Sequence, residues 1–153
     1  MGKAPAHICI LTGQDFDWGI SGGVGGMSRN LGESLVLAGH AVTVIVPRRA
    51  GQQAVESING VAVHSFSPFN FPEACRLIKS VPADLFHSQD PTVLTYLAQK
   101  LLPNRVHVVT CRDPRDARDW WVEFRYATPM RRLLTPFNYF TTSSCILKQA
   151  VRR

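Results

Sequence analysis

Residues 20–28, Ile20-Ser21-Gly22-Gly23-Val24-Gly25-Gly26-Met27-Ser28, place four glycines within five positions and leave main chain with few side chains guarding it. Apolar residues follow at helical spacing, Met27, Leu31, Leu35 and Ala38, before a Gly39-His40 stop. The glycines therefore open a helix. A helix N-terminus offers unpaired N–H groups and the positive end of the helix dipole, which together favour a phosphate or carboxylate. The competing reading of the same run is a flexible surface loop. Two further stretches carry groups able to do chemistry: His87-Ser88-Gln89-Asp90, and Arg112-Asp113-Pro114-Arg115-Asp116. His87 follows a short apolar run, so it is either a satisfied core histidine or a group at the mouth of a cleft, and its place at a strand end favours the cleft. Asp90-Pro91 either starts the next helix or touches a ligand. His7, His40, His64 and His107 lie within or beside strand or turn patterns without metal-ligand spacing, so they read as structural and no metal is implied.

Alternating strands and helices must position these groups. His7–Leu11 (HICIL) is a dense apolar run without clean alternation, the pattern of a central strand covered on both faces. Further strands are expected over 41–46 (AVTVIV), over Val61–Phe66 (VAVHSF), over 84–87, over 105–111 and over 139–142. The Asn59-Gly60 turn sets up the strand at 61; it could equally close a hairpin with Val55–Ile58. Helices are expected over 72–80, with Pro72 near the first turn, over 92–102, over 118–126 and 130–134, and from Ser143 or Ser144 onward. Such alternation predicts an α/β fold, a doubly wound, mostly parallel, Rossmann-like sheet with helices on both faces. Ligands in that class gather at the carboxyl ends of the strands, where the loops after the first, fourth and fifth expected strands bring the three stretches together.

With 153 residues, 45% hydrophobic and 18% charged, the chain can bury a core and fits one domain, 1–153. Its cysteines, Cys9, Cys75, Cys111 and Cys145, are widely spaced, which suits reduced thiols and a cytoplasmic setting. No run approaches the roughly 20 apolar residues of a membrane span, and 1–6 lacks the apolar core of a signal peptide. Of the net charge of +6, a cluster from Arg105 to Arg132 supplies three. It suits a phosphorylated small molecule or an anionic lipid; without aromatic-interleaved RNA motifs or zinc-finger spacing, nucleic acid is not expected as a partner. Trp120, Trp121 and Phe124 beside Arg118 and Arg125 form either an interfacial patch for peripheral contact with an anionic membrane, such as the inner membrane face, or a helix face packed on the sheet.

A dinucleotide-binding fingerprint is the obvious rival, and it fails. The closest register, Gly23-x-Gly25-x-x-Ser28, lacks the last glycine, begins well after the first strand, and leads to Pro47-Arg48 where an acidic residue belongs. No Gly-Lys-Ser/Thr of a phosphate-binding P-loop occurs. The chain instead resembles the N-terminal, acceptor-side half of a family 4 glycosyltransferase, the retaining nucleotide-sugar enzymes built as two facing Rossmann-like domains (GT-B). The resemblance rests on Gly22-Gly23-Val24 before the helix, Ala38-Gly39-His40 leading into VTVIVP, Ala83-Asp84-Leu85-Phe86-His87-Ser88-Gln89-Asp90-Pro91, Val108-Val109-Thr110 with Asp113, and Thr142-Ser143-Ser144. It covers essentially the whole chain.

The resemblance implies a hexosyl-type transferase that moves a sugar from a nucleotide-diphosphate-sugar donor to an acceptor, a saccharide or a lipid-linked molecule, with no cofactor and no protein-bound metal. It implies donor contacts from Gly22, Gly23 and Val24. Arg112 stands where the family usually has a histidine close to the transferring sugar. Its guanidinium either stabilises developing phosphate charge or pairs with Asp113 or Asp116 at the surface. Arg112 and His87 are the catalytic candidates, and Asp90, Asp113 and Arg115 are the acceptor-side candidates. The family's C-terminal donor-binding domain has no counterpart before Arg153, and the helix begun at Ser144 reaches Arg153 without a C-cap, so this chain alone is expected to transfer no sugar. Two other function classes remain: a stand-alone module for a nucleotide or other phosphate ligand, and an NADP-dependent reductase using Arg48 and Arg49 on a 2′-phosphate.

Overall fold

In a computed structural model, the structure describes residues 4–13, 23–90 and 92–110. In chain order its elements are β1 (His7–Leu11), α1 (Gly23–Leu37), β2 (Ala41–Pro47), β3 (Val55–Ile58), β4 (Val61–Phe66), α2 (Phe71–Ser80), β5 (Leu85–Ser88), α3 (Val93–Leu101) and β6 (Val106–Val109). The expected elements over 118–126, 130–134 and 139–142, and the helix from Ser143 or Ser144, lie outside the described residues, as does the aromatic patch at Trp120 and Trp121.

The apolar runs assemble into a six-stranded sheet in the order β3-β4-β2-β1-β5-β6. Every neighbouring pair is parallel except β3 with β4, which is antiparallel. β1 is central, and its alternation divides the core. Cys9 and Leu11 point into a cluster with Ile45, Phe66 and Phe86 that is closed by Ala74 and Ile78 of α2 and Leu94 and Ala98 of α3. Ile10 points into a second cluster with Val42, Val44, Val46, Val61 and Val63, against which Leu31, Leu35 and Val36 of α1 pack. Thus α1 covers one face while α2 and α3 cover the other, the doubly wound arrangement predicted from the alternation. From β1 the chain moves outward through β2 and β4, then returns to place β5 and β6 on the opposite side of β1. The order reverses between β1 and β5, the switch point of the sheet.

Local chemistry explains most boundaries. Gly39 adopts φ +88, and the His40 N–H reaches the Leu35 carbonyl at 3.0 Å while the Gly39 N–H reaches Val36 at 2.9 Å. This Schellman closure stops α1 where Gly39-His40 predicted. α2 starts one residue before the expected 72, with the Asn70 side chain accepting from the Glu73 N–H at 3.2 Å. Asn59 at φ 49 and Gly60 at φ 83 make a tight primed turn that closes β3 on β4. The two readings of Asn59-Gly60 are therefore both present: β4 is a parallel strand of the sheet and also one arm of a hairpin.

α1 departs from expectation in one respect. Met27 is 54% exposed and Ala38 is also exposed, whereas Gly25, Ser28 and Gly32 are buried in line with Leu31 and Leu35. The helix turns small residues toward the sheet so that the two backbones can approach, and the largest apolar side chain of its first turns faces out. Its glycines are also not a loop before the helix: from Gly23 onward they are helical.

Candidate active site

The carboxyl edge of the sheet is built from strands adjacent in space but far apart in sequence. The ladder continues one residue past each strand: the Gln89 N–H donates to Leu11 at 2.9 Å, Thr110 to Ser88 at 2.9 Å, and Thr12 to Ile45 at 3.3 Å. Thr12, Gln89 and Thr110 therefore stand in one row beyond β1, β5 and β6. Strand alternation puts that row on the same face as Ile10, His87 and Val108, the face that α1 covers. The three loops expected to converge thus leave three neighbouring strand ends.

His87 occupies the penultimate position of β5, in register with Ile10 on one side and Val108 on the other. It is half-buried, and its Nε2 lies 2.8 Å from Thr110 Oγ1 and 3.4 Å from Gln89 Nε2. Its surroundings are polar at the carboxyl edge of the sheet, unlike Phe86, which is fully buried in the α2–α3 core. Gln89, only 1% exposed, and Thr12, fully buried, are the polar groups sealed beneath this edge. Neither Gln89 nor Thr110 stands out in the sequence as a site residue, because their role depends on the strand ends being neighbours. Counting two residues on from His87 would have put Gln89 on its face.

α1 supplies the second component. The crossover from β1 to β2 starts at the carboxyl edge and returns to the amino edge, so Gly23 lies at the same end of the sheet as the row of polar residues. The first turn of α1 contains no acidic side chain, so no carboxylate of that turn offsets the positive end of its dipole. Gly23 opens the helix, and Val24 follows within it. Asp90 leaves the row toward α3, and its backbone carbonyl accepts from Thr95 Oγ1 at 2.8 Å, while the Thr92 N–H donates to Thr95 Oγ1 at 3.1 Å. The Asp90 backbone carbonyl thus helps to anchor the start of α3. Gly22, Arg112, Asp113 and Arg115 lie outside the described residues.

Other titratable groups serve the scaffold. Arg48 donates through Nη2 to the Ser65 carbonyl at 2.7 Å and to Glu73 at 3.0 Å, and through Nε to Ser65 Oγ at 3.1 Å. Its guanidinium is committed to joining β2, β4 and α2, which argues against a 2′-phosphate site there. The Ser67 N–H holds the Glu73 carboxyl below the ordinary glutamate range, with Arg48 adding to the effect against some desolvation. On α1, Glu33 is lowered first by its hydrogen bond from Arg29 and then by that from Asn59. Burial pushes the Cys9 thiol far up, so it stays protonated. Three of the histidines read as structural have fold partners: His7 with Thr43 at 2.8 Å, His40 accepting from Ala6 at 3.1 Å, and His107 with the Leu102 carbonyl at 2.8 Å and stacked on Phe86. Among the described residues no three His, Cys, Asp or Glu side chains are grouped to hold a metal ion, and no helix is long and apolar enough to cross a membrane.

No curated protein matches the chain. The family model described as Glycosyltransferase Family 4 matches residues 21–153, a stretch that holds α1, the strands β2 to β6, Gln89 and Thr110, and Arg112. A match over most of the length, on a doubly wound sheet with a glycine-opened helix at its carboxyl edge, establishes that this chain belongs to glycosyltransferase family 4.

Proposed function

We propose that this domain is the acceptor-side half of a retaining glycosyltransferase of the two-domain GT-B type, moving a sugar from a nucleotide-diphosphate-sugar to a saccharide or lipid-linked acceptor. The observation that carries the reading is the N-terminus of α1. It is opened by Gly23, bears no acidic residue in its first turn, and stands at the same edge and on the same face of the sheet as His87. Main-chain N–H groups there meet the donor diphosphate, and the absence of side chains at Gly22 and Gly23 lets phosphate oxygens approach the backbone. The leaving diphosphate gathers negative charge as the glycosidic bond breaks. In this reading the helix end and basic residues, Arg112 first among them, meet that charge without a bound metal. Asp90, Asp113 and Arg115 face the acceptor, a second domain supplies most donor contacts, and the enzyme works in the cytoplasm, with a peripheral contact at the inner membrane face if the acceptor is lipid-linked.

The test is Gly23→Val in the full-length two-domain enzyme, assayed with a panel of nucleotide sugars. Losing even one charge-assisted hydrogen bond to the diphosphate, about 1.5–3 kcal/mol, lowers turnover at least roughly tenfold, while the melting temperature stays within a few degrees of wild type. Normal turnover in this variant refutes the diphosphate role. Titration with a nucleotide sugar against NADPH separates the transferase from a reductase, since only the latter changes NADPH fluorescence.

A further inference from the structure

The turn that closes β3 on β4 is also the one place in the sequence where an asparagine precedes a glycine. We propose that Asn59-Gly60 is a deamidation site gated by Glu33: while α1 is seated, the Glu33 carboxylate holds the Asn59 amide, and when α1 lifts, the amide reacts and its product keeps the helix from reseating. Asn59 Nδ2 donates to Glu33 Oε1 at 2.7 Å, and the same oxygen accepts from Arg29 Nε at 2.6 Å. Asn59 and Gly60 are both exposed, so water reaches them. Ile58 and Val61 are the paired residues that flank the turn, which leaves the Gly60 N–H outside the ladder. That nitrogen can close a five-membered ring on Asn59 Cγ, and Gly60 has no side chain to obstruct it. At Asn30, Asn70, Asn104 and Asn138 the next residue is Leu31, Phe71, Arg105 or Tyr139, each bulky. Closing the ring requires Asn59 Cγ to swing onto the Gly60 nitrogen. With Asn59 at φ 49 and its Nδ2 tied to α1, the seated helix restrains that swing, and local opening of α1 releases it.

In the reaction the Gly60 nitrogen attacks Asn59 Cγ, the bond from Cγ to Nδ2 breaks, and the proton lost from the Gly60 nitrogen leaves with the amide as ammonia. Water then opens the cyclic imide at either carbonyl, giving aspartate or isoaspartate. The sum is asparagine and water to acid and ammonia, with nothing oxidised or reduced. Either product replaces the Nδ2 donor with a carboxylate facing Glu33, whose own carboxyl the Arg29 hydrogen bond holds below the ordinary glutamate range. A hydrogen bond is lost and two like charges oppose each other. Isoaspartate also lengthens the backbone of a turn that depends on Asn59 at φ 49 and Gly60 at φ 83, and Gly60 is the residue of that turn seated against Val36 of α1. The lesion therefore turns a transient opening of the helix into a lasting one.

The test is peptide mapping by mass spectrometry of the full-length protein incubated at mildly alkaline pH, with isoaspartate detected by enzymatic methylation. Glu33→Ala removes the acceptor, and Asn59 should then deamidate several-fold faster than in wild type. Glu33→Gln keeps an oxygen for the Asn59 amide and should stay near the wild-type rate. Arg29→Ala removes the ion pair within α1 but leaves the acceptor, so it too should stay near wild type. In urea all four rates should converge, because the gate belongs to the fold. Equal rates in folded wild type and Glu33→Ala overturn the gate, and so do rates that stay apart in urea. A Glu33→Gln or Arg29→Ala rate as high as that of Glu33→Ala also overturns it, since general loosening of α1 would then account for the effect. Asn59→Asp reproduces the aspartyl product and should melt several degrees below wild type. An unchanged melting temperature in that variant overturns the unseating of α1 by deamidation.

Discussion

Substituting Gly60 with alanine tests how α1 is seated, and hence how its N-terminus is presented. A Cβ at Gly60 would lie 2.9 Å from Val36 Cγ1, on a backbone at φ +83. The left-handed conformation costs an L-residue about 1–2 kcal/mol. Forcing Val36 aside in a packed interface adds about 1–3 kcal/mol, and the smaller entropy of the unfolded alanine chain offsets about 0.4–1 kcal/mol. The net loss is about 2–4 kcal/mol, a drop of roughly 5–12 °C in melting temperature for a domain of this size. Gly51 is the control. It has φ +80 with nothing within 4 Å of its Cβ, so Gly51→Ala carries the backbone strain alone. Its net loss is about 1 kcal/mol. Urea unfolding of Gly51→Ala, Gly60→Ala, Val36→Ala and the Gly60→Ala/Val36→Ala pair completes a double-mutant cycle in which the pair should recover about 1–3 kcal/mol of the sum of the singles. Equal losses at Gly51 and Gly60, together with simple additivity in the pair, would show that the hairpin turn does not buttress α1.

Two further outcomes follow from titratable groups. Glu73 has a folded-state pKa below its ordinary value of 4.5, so its stabilisation is complete above that pH and is lost as pH falls through the lower folded value. Glu73→Gln should therefore flatten the acid limb of a stability-against-pH curve; an acid limb as steep as wild type would show that the Ser67 and Arg48 contacts do not survive in solution. Cys9 is fully buried with its thiol pKa pushed up, so a thiol reagent at neutral pH should leave it untouched until the chain unfolds while half-buried Cys75 reacts sooner. Modification of Cys9 at a rate matching Cys75 under native conditions would mean that β1 is not sealed on the α2–α3 face.

What the sequence by itself determined is everything governed by local pattern. HICIL read as a central strand because both faces needed apolar cover, and β1 lies between β2 and β5 with Cys9 and Ile10 buried on opposite sides. Gly39-His40 read as a helix stop because few residues other than glycine take φ near +88 without strain. The alternation of elements predicted the doubly wound class, and the motifs pointed to the family, because both are carried by residues close together in the chain.

Tertiary structure decided the rest, for reasons of distance and size. Periodicity marked Met27 and Ala38 as the inner face of α1, yet close packing against a sheet selects small residues, and Gly25, Ser28 and Gly32 went inside. The Asn59-Gly60 alternatives were settled jointly, since a turn signal says nothing about whether the second strand also pairs elsewhere, and β4 pairs with both β3 and β2. Arg48 offered a phosphate ligand in sequence, but Ser65 and Glu73, distant along the chain, claim its guanidinium. His87 alone allowed a core or a cleft reading. Its neighbours were not legible there, since Thr110 is brought to the histidine only because β6 pairs with β5 in the register that sets His87 opposite Val108.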